Sequence, residues 1–358
     1  MPADEFAVIR DLFAPLAGDP AARGLQDDVA VLPAESRLVV TTDAIVEGVH
    51  FLPDDPIETV AMKALRVNLS DLIAKGARPT HALLTLVWPA ARPAAEIARF
   101  ATALGGDLQR YGVALIGGDT TATPGPLTVS ITAFGAPIGG RTPSRSDAQP
   151  GEDLWLIGGE IGSAWLGLQL RTGRLKLADL QRGRDEAEAR AMSETMAGAM
   201  PGYLALPGEP FDTEAAWLMS AYLAPLVRTE CAEIVARFAS ASLDVSDGLI
   251  ADARKLALAS GVQVRIDAEA VPISIPAQRW AATGGNFLSL LTGGDDYVAM
   301  FTAAEADRAA LANVDMAGAL RLTRCGGVEA GTGVRLVLPD GADIPLPEEG
   351  GHAHALGR

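Results

Sequence analysis

"IETVAMKALRVNLSDLIAKGARPTHALLTLVW", residues 57 to 88, carries a helix, its stop and the strand that follows. Helical character runs to Gly76, and Gly76 followed by Pro79 closes the helix. A strand is expected at 81–88. Working outward, strands are expected at 28–33 and 37–43 on one side; on the other come a helix over 93–111 and strands at 113–118 and 127–135. Helices and short strands of this kind make a compact α+β unit.

The stretch 135–153, "GAPIGGRTPSRSDAQPGED", is rich in Gly, Pro, Ser and charge and has no hydrophobic period, so it reads as a boundary loop. The expected division is a domain over 1–138, a second α+β domain over 150–345 and a tail over 346–358. In the second domain strands are expected at 154–159, 242–245, 262–267 and near 297–302 and 333–338. Helices are expected at 163–173 and 249–261, with a charged helical middle and a long helix broken at Pro225.

The chain has 358 residues, 49% hydrophobic and 21% charged, which suits a folded protein with two cores. Its formal charge of -16 argues against a nucleic-acid or anionic membrane surface. Any polyphosphate bound here needs metal ions. Cys231 and Cys325 stand apart without CxxC spacing, and the acidic N-terminus lacks the features of a signal peptide, so a cytoplasmic location is expected. No apolar run approaches the ~20 residues that span a bilayer.

Acids recur beside the expected strands: Asp27 and Asp28, Asp43, Asp119, Asp244 and Asp247, and the pair Asp295–Asp296 in "LTGGDDYVAM". Asp71 lies near the end of the first helix. Singly, each reads as a turn or N-cap residue, Asp247 before "GLIADARKL" above all. Together they would repel and raise one another's pKa values unless cations sit among them. Mg²⁺ prefers oxygen ligands and bridges carboxylates to phosphates, and Thr41 and Thr42 add hydroxyls beside Asp43. Glycines 117, 118, 293 and 294 are read as leaving room for close approach of a ligand. Arg141 and Arg145 in the boundary loop are candidate phosphate clamps. His50, His81, His352 and His354 form no zinc pattern, and His50 alone reads as structural. No P-loop, kinase-type glycine loop or GxSxG element is present.

The motifs "TTDAIVEGVHF", "KALRVNLSDLIAKGARP", "LIGGDTT", "LDVSDGL" and "GGDDY", in this order, resemble those of the thiamine-monophosphate kinase family, in the superfamily of aminoimidazole ribonucleotide synthetase. The resemblance covers about residues 5 to 355. It implies a two-domain α+β fold whose N-terminal domains pair into a β-barrel in a homodimer, with ATP and thiamine phosphate as substrates and several Mg²⁺ ions. By the same resemblance Asp28, Thr41, Thr42, Asp43, Asp71, Asp119, Asp244 and Asp247 are the metal shell. Gly118, Asp119, Arg145 and Ser246 are ATP contacts, and His50, Asp295 and His352 lie at the thiamine-phosphate end. No covalent nucleophile or general base is implied. Three positions depart from the family pattern: Gln26 for a glycine, Asp295 for the usual Glu, and His352 where an aromatic is expected. The alternatives are an aminoimidazole ribonucleotide synthetase-like ligase, whose glycine-rich segment is missing here, and a non-catalytic nucleotide-binding regulator, against which the intact acid set argues.

Overall fold

The computed structural model describes residues 9–21, 37–185, 211–314, 320–348 and 350–351. The strand expected at 28–33, Gln26, Asp27, Asp28, most of the charged middle and the end of the tail from His352 lie outside them. The chain divides into two compact units, Met1–Thr142 and Pro143–Arg358.

In the first unit, strands β1 (Val39–Val46), β2 (Ala77–Pro89), β3 (Ala114–Thr123) and β4 (Thr128–Pro137) form one sheet in the order β1-β4-β2-β3. β4 runs antiparallel to β1 and β2, while β2 and β3 are parallel. Their parallel pairing requires a crossover, supplied by helix α2 (Ala94–Tyr111). Helix α1 (Ile57–Ala74) packs across β1, β4 and β2. The period-two alternation of β2 explains the layering: Ala82, Leu84, Leu86 and Trp88 are buried, while Leu83, Thr85 and Val87 keep partial exposure on the opposite face. Arg66 of α1 and Asp107 of α2 tie the helices by a buried bidentate pair at 2.6 and 2.9 Å.

β1 and β3 are longer than their sequence suggests, and this corrects the placement of two acids. Asp43 and Asp119 stand inside strands, not at their ends. The β-branched run "GGDTTAT" carries β3 five residues past Gly118, paired with β2 as far as Thr123.

The second unit holds a seven-stranded sheet. β5 (Asp153–Ile157) lies between β8 (Val298–Ala303) and β9 (Thr323–Glu329), and β6 (Ser242–Val245) closes the edge beyond β8. On the other side β9 is followed by β7 (Gln263–Asp267), β10 (Gly333–Val337) and β11 (Asp343–Ile344), with only β7 and β10 parallel among named pairs. The sequence reading misses β9, because "TRCGGVE" carries two glycines in its middle. Space explains them: a Cβ at Gly326 would lie 1.9 Å from the Arg265 carbonyl oxygen. Also missed are helices α8 (Ile275–Ala282) and α9 (Phe287–Thr292), each started by a polar cap, Ser274 and Asn286. The break at Pro225 is present, separating α5 (Thr213–Leu223) from α6 (Cys231–Phe238). Helix α3 (Ser163–Arg171) packs on α5, the short α4 (Leu177–Leu180) follows α3, and α7 (Leu249–Ser260) leads from β6 to β7. Among the described residues no helix is long and apolar enough to cross a membrane.

The α3–α5 contact depends on Gly167, where a Cβ would meet the Leu218 carbonyl oxygen at 2.1 Å. Gly167→Ala must push two buried helices apart, at a cost of about 1–3 kcal/mol. Thermal unfolding followed by circular dichroism should show a clearly lowered Tm; an unchanged Tm would show that the helices tolerate separation.

Candidate functional site

In the first unit, the backbone of Thr41–Asp43 is fixed from both sides. Thr41 Oγ1 donates to Asp71 Oδ2 at 2.6 Å, and the Asp43 N–H donates to Asn68 Oδ1 at 2.9 Å. Asn68 and Asp71 are three residues apart on α1, so one helix face meets two alternate positions of β1. Asn68 is fully buried, and its amide nitrogen donates to the Ala64 carbonyl at 3.0 Å, which fixes which side-chain atom faces Asp43. From the sheet side, Ser130 Oγ donates to the Asp43 carbonyl at 3.1 Å and Thr132 Oγ1 to Thr42 Oγ1 at 3.0 Å. Thr42 Oγ1 donates to the Ile131 carbonyl at 3.2 Å. Asp43 itself is exposed.

The same sheet does not bring Asp119 to Asp43. Asp43 pairs with Ile131, Ile131 with Leu84, and Leu84 with Gly118, so the two acids sit near opposite edges. Three strand spacings separate them, about 14 Å. Asp119 pairs with Thr85, on the half-exposed face, whereas Asp43 shares the face of buried Ile131 and Leu84. Gly118 beside it has φ 151°, and a Cβ there would lie 1.8 Å from the Leu84 carbonyl oxygen. Among the described residues no three His, Cys, Asp or Glu side chains stand close enough to hold a metal ion by themselves.

His50 Nδ1 accepts the Val46 N–H at 3.0 Å, which leaves the proton of the neutral ring on Nε2. The His50 carbonyl accepts from Lys63 Nζ at 3.0 Å, a side chain with 1% exposure. The turn holding His50 is thus anchored to α1.

In the second unit, the loops 245–247 and 293–297 are tied together. The Asp295 N–H donates to the Ser246 carbonyl at 2.8 Å, and the Tyr297 N–H to the Val245 carbonyl at 2.8 Å. Tyr297 Oη donates to Asp295 Oδ1 at 3.0 Å. Both Asp295 and Tyr297 have positive φ, 65° and 50°, a conformation held here by those cross-loop bonds. The glycines of this motif make room inside the protein: Gly293 backs onto the Trp165 side chain and Gly294 onto the Ser246 carbonyl. Glycines 117 and 118 likewise face Leu83 and Leu84.

Asp247 does not cap α7 with its side chain; the N-cap is Gly248, without a side-chain bond. A residue the sequence reading overlooked does the corresponding work. Asp252, in the first turn of α7, accepts the N–H groups of Ser246 and Asp247 on Oδ2 at 3.0 and 2.9 Å. Its Oδ1 accepts from Lys255 Nζ at 2.6 Å, and Lys255 Nζ also donates to Asp247 Oδ2. Burial would lower the Lys255 pKa, but the bonds to Asp247 and Asp252 outweigh it and hold the ammonium charged. Burial pushes Asp252 up, opposed by that ammonium and by the N–H groups. The helical spacing of 252 and 255 was the available signal. Asp244 sits in β6 with partial exposure, and Arg145 is an exposed side chain whose carbonyl accepts from Ser260 Oγ at 3.0 Å.

Asp296 bonds backbone as a turn carboxylate does, but far from its own loop. Its Oδ1 accepts the Gly162 N–H at the start of α3 at 2.9 Å, and its Oδ2 is buried without a partner. With Asp295, Trp217, Arg228 and Glu160 it lines a cavity of about 130 Å³. Arg321 closes an ion pair on Glu160 at its margin.

Comparison with known proteins follows the same division. The AIR synthase related protein N-terminal domain matches residues 26–136, and the AIR synthase related protein C-terminal domain residues 209–339. The thiamine-monophosphate kinase of Caulobacter vibrioides is 39% identical over 304 residues, covering 83% of this chain and 76% of that protein. Among solved structures, thiamine-monophosphate kinase from Stenotrophomonas maltophilia K279a is 33% identical with a TM-score of 0.71, covering 94% of this chain and 97% of that one. AaThiL complexed with AMPPCP and TMP is 28% identical with a TM-score of 0.70, covering 98% and 97%.

Burial holds the Asp296 carboxyl well above the usual carboxylate range, against the pull of the Gly162 N–H, and the neighbouring Asp295 adds repulsion. A carboxyl whose pKa is raised on folding stabilises the fold below its unfolded pKa and loses that contribution as pH rises through the folded one. Asp296→Asn keeps the acceptor without the charge. Its stability relative to wild type should therefore climb from about pH 4 upward. A pH-independent difference in Tm would remove the buried carboxyl from this account.

Proposed function

The chain belongs to the thiamine-monophosphate kinase family within the AIR synthase related proteins, and on that footing we infer how its own residues serve the ATP-dependent phosphorylation of thiamine phosphate to thiamine diphosphate. The bond between the γ-phosphorus of ATP and its bridging oxygen breaks, a bond from that phosphorus to a phosphate oxygen of the acceptor forms, and ADP leaves. The acceptor oxygen already carries negative charge. No strong base is needed, so positioning and charge neutralisation carry the rate.

We assign Asp28, Thr41, Thr42, Asp43, Asp71, Asp119, Asp244 and Asp247 to the metal shell; Gly118, Asp119, Arg145 and Ser246 to ATP; and His50, Asp295 and His352 to thiamine phosphate. The donor set suits Mg²⁺: it is all oxygen, and carboxylates standing singly or in pairs match an ion that keeps its waters and leans on substrate phosphates. Such ions, when bound, neutralise the phosphates being brought together. The observation that carries the assignment is the double anchoring of Thr41–Asp43, by Asn68 and Asp71 on one side and Ser130 and Thr132 on the other. A segment fixed that firmly holds an exposed carboxylate at a set position. In the second unit, the cross-tied loops hold Asp295 beside Ser246, next to a cavity with an aromatic wall from Trp217.

We further propose a homodimer in which two first-unit sheets pair into a barrel, and a cytoplasmic location. Support for the barrel is the open sheet: among the described residues β1 and β3 are both edges, Val40 on β1 is 54% exposed, and one face keeps Leu83 and Val87 partly exposed.

Purified protein with ATP, Mg²⁺ and thiamine phosphate should yield thiamine diphosphate and ADP; absence of product at saturating substrates would refute the activity. Asp43→Asn and Asp119→Asn should each lower kcat by at least ~100-fold with unchanged nucleotide-free Tm. Near-wild-type turnover in both would remove these acids from the metal shell. Asp295→Ala should raise KM for thiamine phosphate more than KM for ATP, and the reverse order would move it to the nucleotide end.

A further inference from the structure

The second unit contains a cation of its own at one of the acids assigned to metal. Lys255 Nζ bonds Asp247 Oδ2 and, at 2.6 Å, Asp252 Oδ1. The two acids differ in what else they do. Asp252 is 1% exposed, and its second oxygen is committed to two backbone N–H groups, so it cannot turn away. Asp247 has a side chain 33% exposed, and Lys255 is 38% exposed beside it. The ammonium therefore sits at the solvent boundary, between a fixed buried carboxylate and an accessible one.

We propose that Lys255 is a tethered cation: it neutralises Asp247 in the metal-free protein, and a divalent ion gains Asp247 by displacing the ammonium toward Asp252. The inference rests on the assignment of Asp247 to the metal shell. The i, i+3 spacing of Asp252 and Lys255 on α7 keeps the displaced ammonium paired, so the exchange leaves no buried charge unmatched. It also fits the backbone order of the loop, because Asp252 holds the Ser246 and Asp247 N–H groups whichever cation Asp247 carries. Lys255 acts through Asp247 and is a positioning residue. A partly exposed ion pair is weak enough to be exchanged, and its competition should cost metal affinity about three- to fivefold.

The test is Mn²⁺ binding to the full-length protein, counted by electron paramagnetic resonance, with the Mn²⁺-induced rise in Tm as a second readout. Lys255→Met should bind Mn²⁺ about three- to fivefold more tightly than wild type and show a larger Tm rise. Lys255→Arg should match wild type, and Lys255→Gln is the neutral variant to use if the Met variant fails to fold. In an Asp247→Asn background the same Lys255 substitution should change nothing. Wild type and neutral variants binding Mn²⁺ equally would overturn the tethered cation while leaving the metal assignment in place. A weaker affinity in the neutral variants would show that Lys255 supports the ion, which also overturns it. No Mn²⁺ binding by any variant would remove Asp247 from the metal shell, and the inference with it.

Discussion

A carboxylate taken out of water must be met by N–H groups or by a cation, and in a chain of net charge -16 this constraint shapes both units. Buried acids are matched by arginine, as with Asp107 on Arg66 and Asp153 on Arg308 and Arg324. Others are matched by backbone, as Asp252 is by Ser246 and Asp247 and Asp55 by the Leu52 N–H at 2.8 Å, whereas Asp296 meets Gly162 on one oxygen only and burial holds its carboxyl well above the usual carboxylate range. Two of the acids proposed for the metal shell stand in water instead. Asp43 and Asp119 are exposed, and the Asp43 main chain is held by Asn68 and Ser130. Rigid backbone under an accessible charge is what a site for hard cations requires.

Structural acids and acids proposed to meet substrate or metal are thereby interleaved within single motifs. In "LDVSDGLIAD" Asp252 holds the loop that presents Asp247, and in "GGDDY" Asp296 anchors the start of α3 while Asp295 faces the cavity. Adjacent residues of one type divide the two tasks because their peptide neighbours point them to different surroundings. The same logic explains Asn68, which a buried helix face would otherwise exclude: it is the side chain that fixes the Asp43 amide.

Much of this was legible in the chain. Helix α1 ends two residues before its glycine stop, the strand after it covers the apolar run that predicts it, and the motif acids resemble those of the family that the comparisons show. What escaped was of two kinds. Strand β9 hides behind Gly326, whose reason is a carbonyl on a strand some sixty residues earlier, and no local window contains that contact. Asn68 escaped because a polar residue on a helix announces neither a partner nor a direction until the helix is docked, and for Asp252 and Lys255 the i, i+3 spacing was the one local hint. The strand ends at Asp43 and Asp119 were set too early, since acid and glycine read as punctuation while pairing with β4 and β2 carried the strands through them.

The order of strands in the second unit has a bearing on how the chain is made. β5 is translated near residue 155, yet its two neighbours are β8 and β9, near 300 and 326. The first unit's sheet has all four of its strands by Pro137. During synthesis the first unit can close while most of the chain is still unmade, whereas β5 must emerge with both edges bare and wait for roughly half the protein to follow. That interval is when an apolar strand such as "DLWLI", with every residue buried in the finished sheet, is most open to wrong partners. The early fold of the first unit leaves this one strand as the part of the protein that most needs protection on the ribosome.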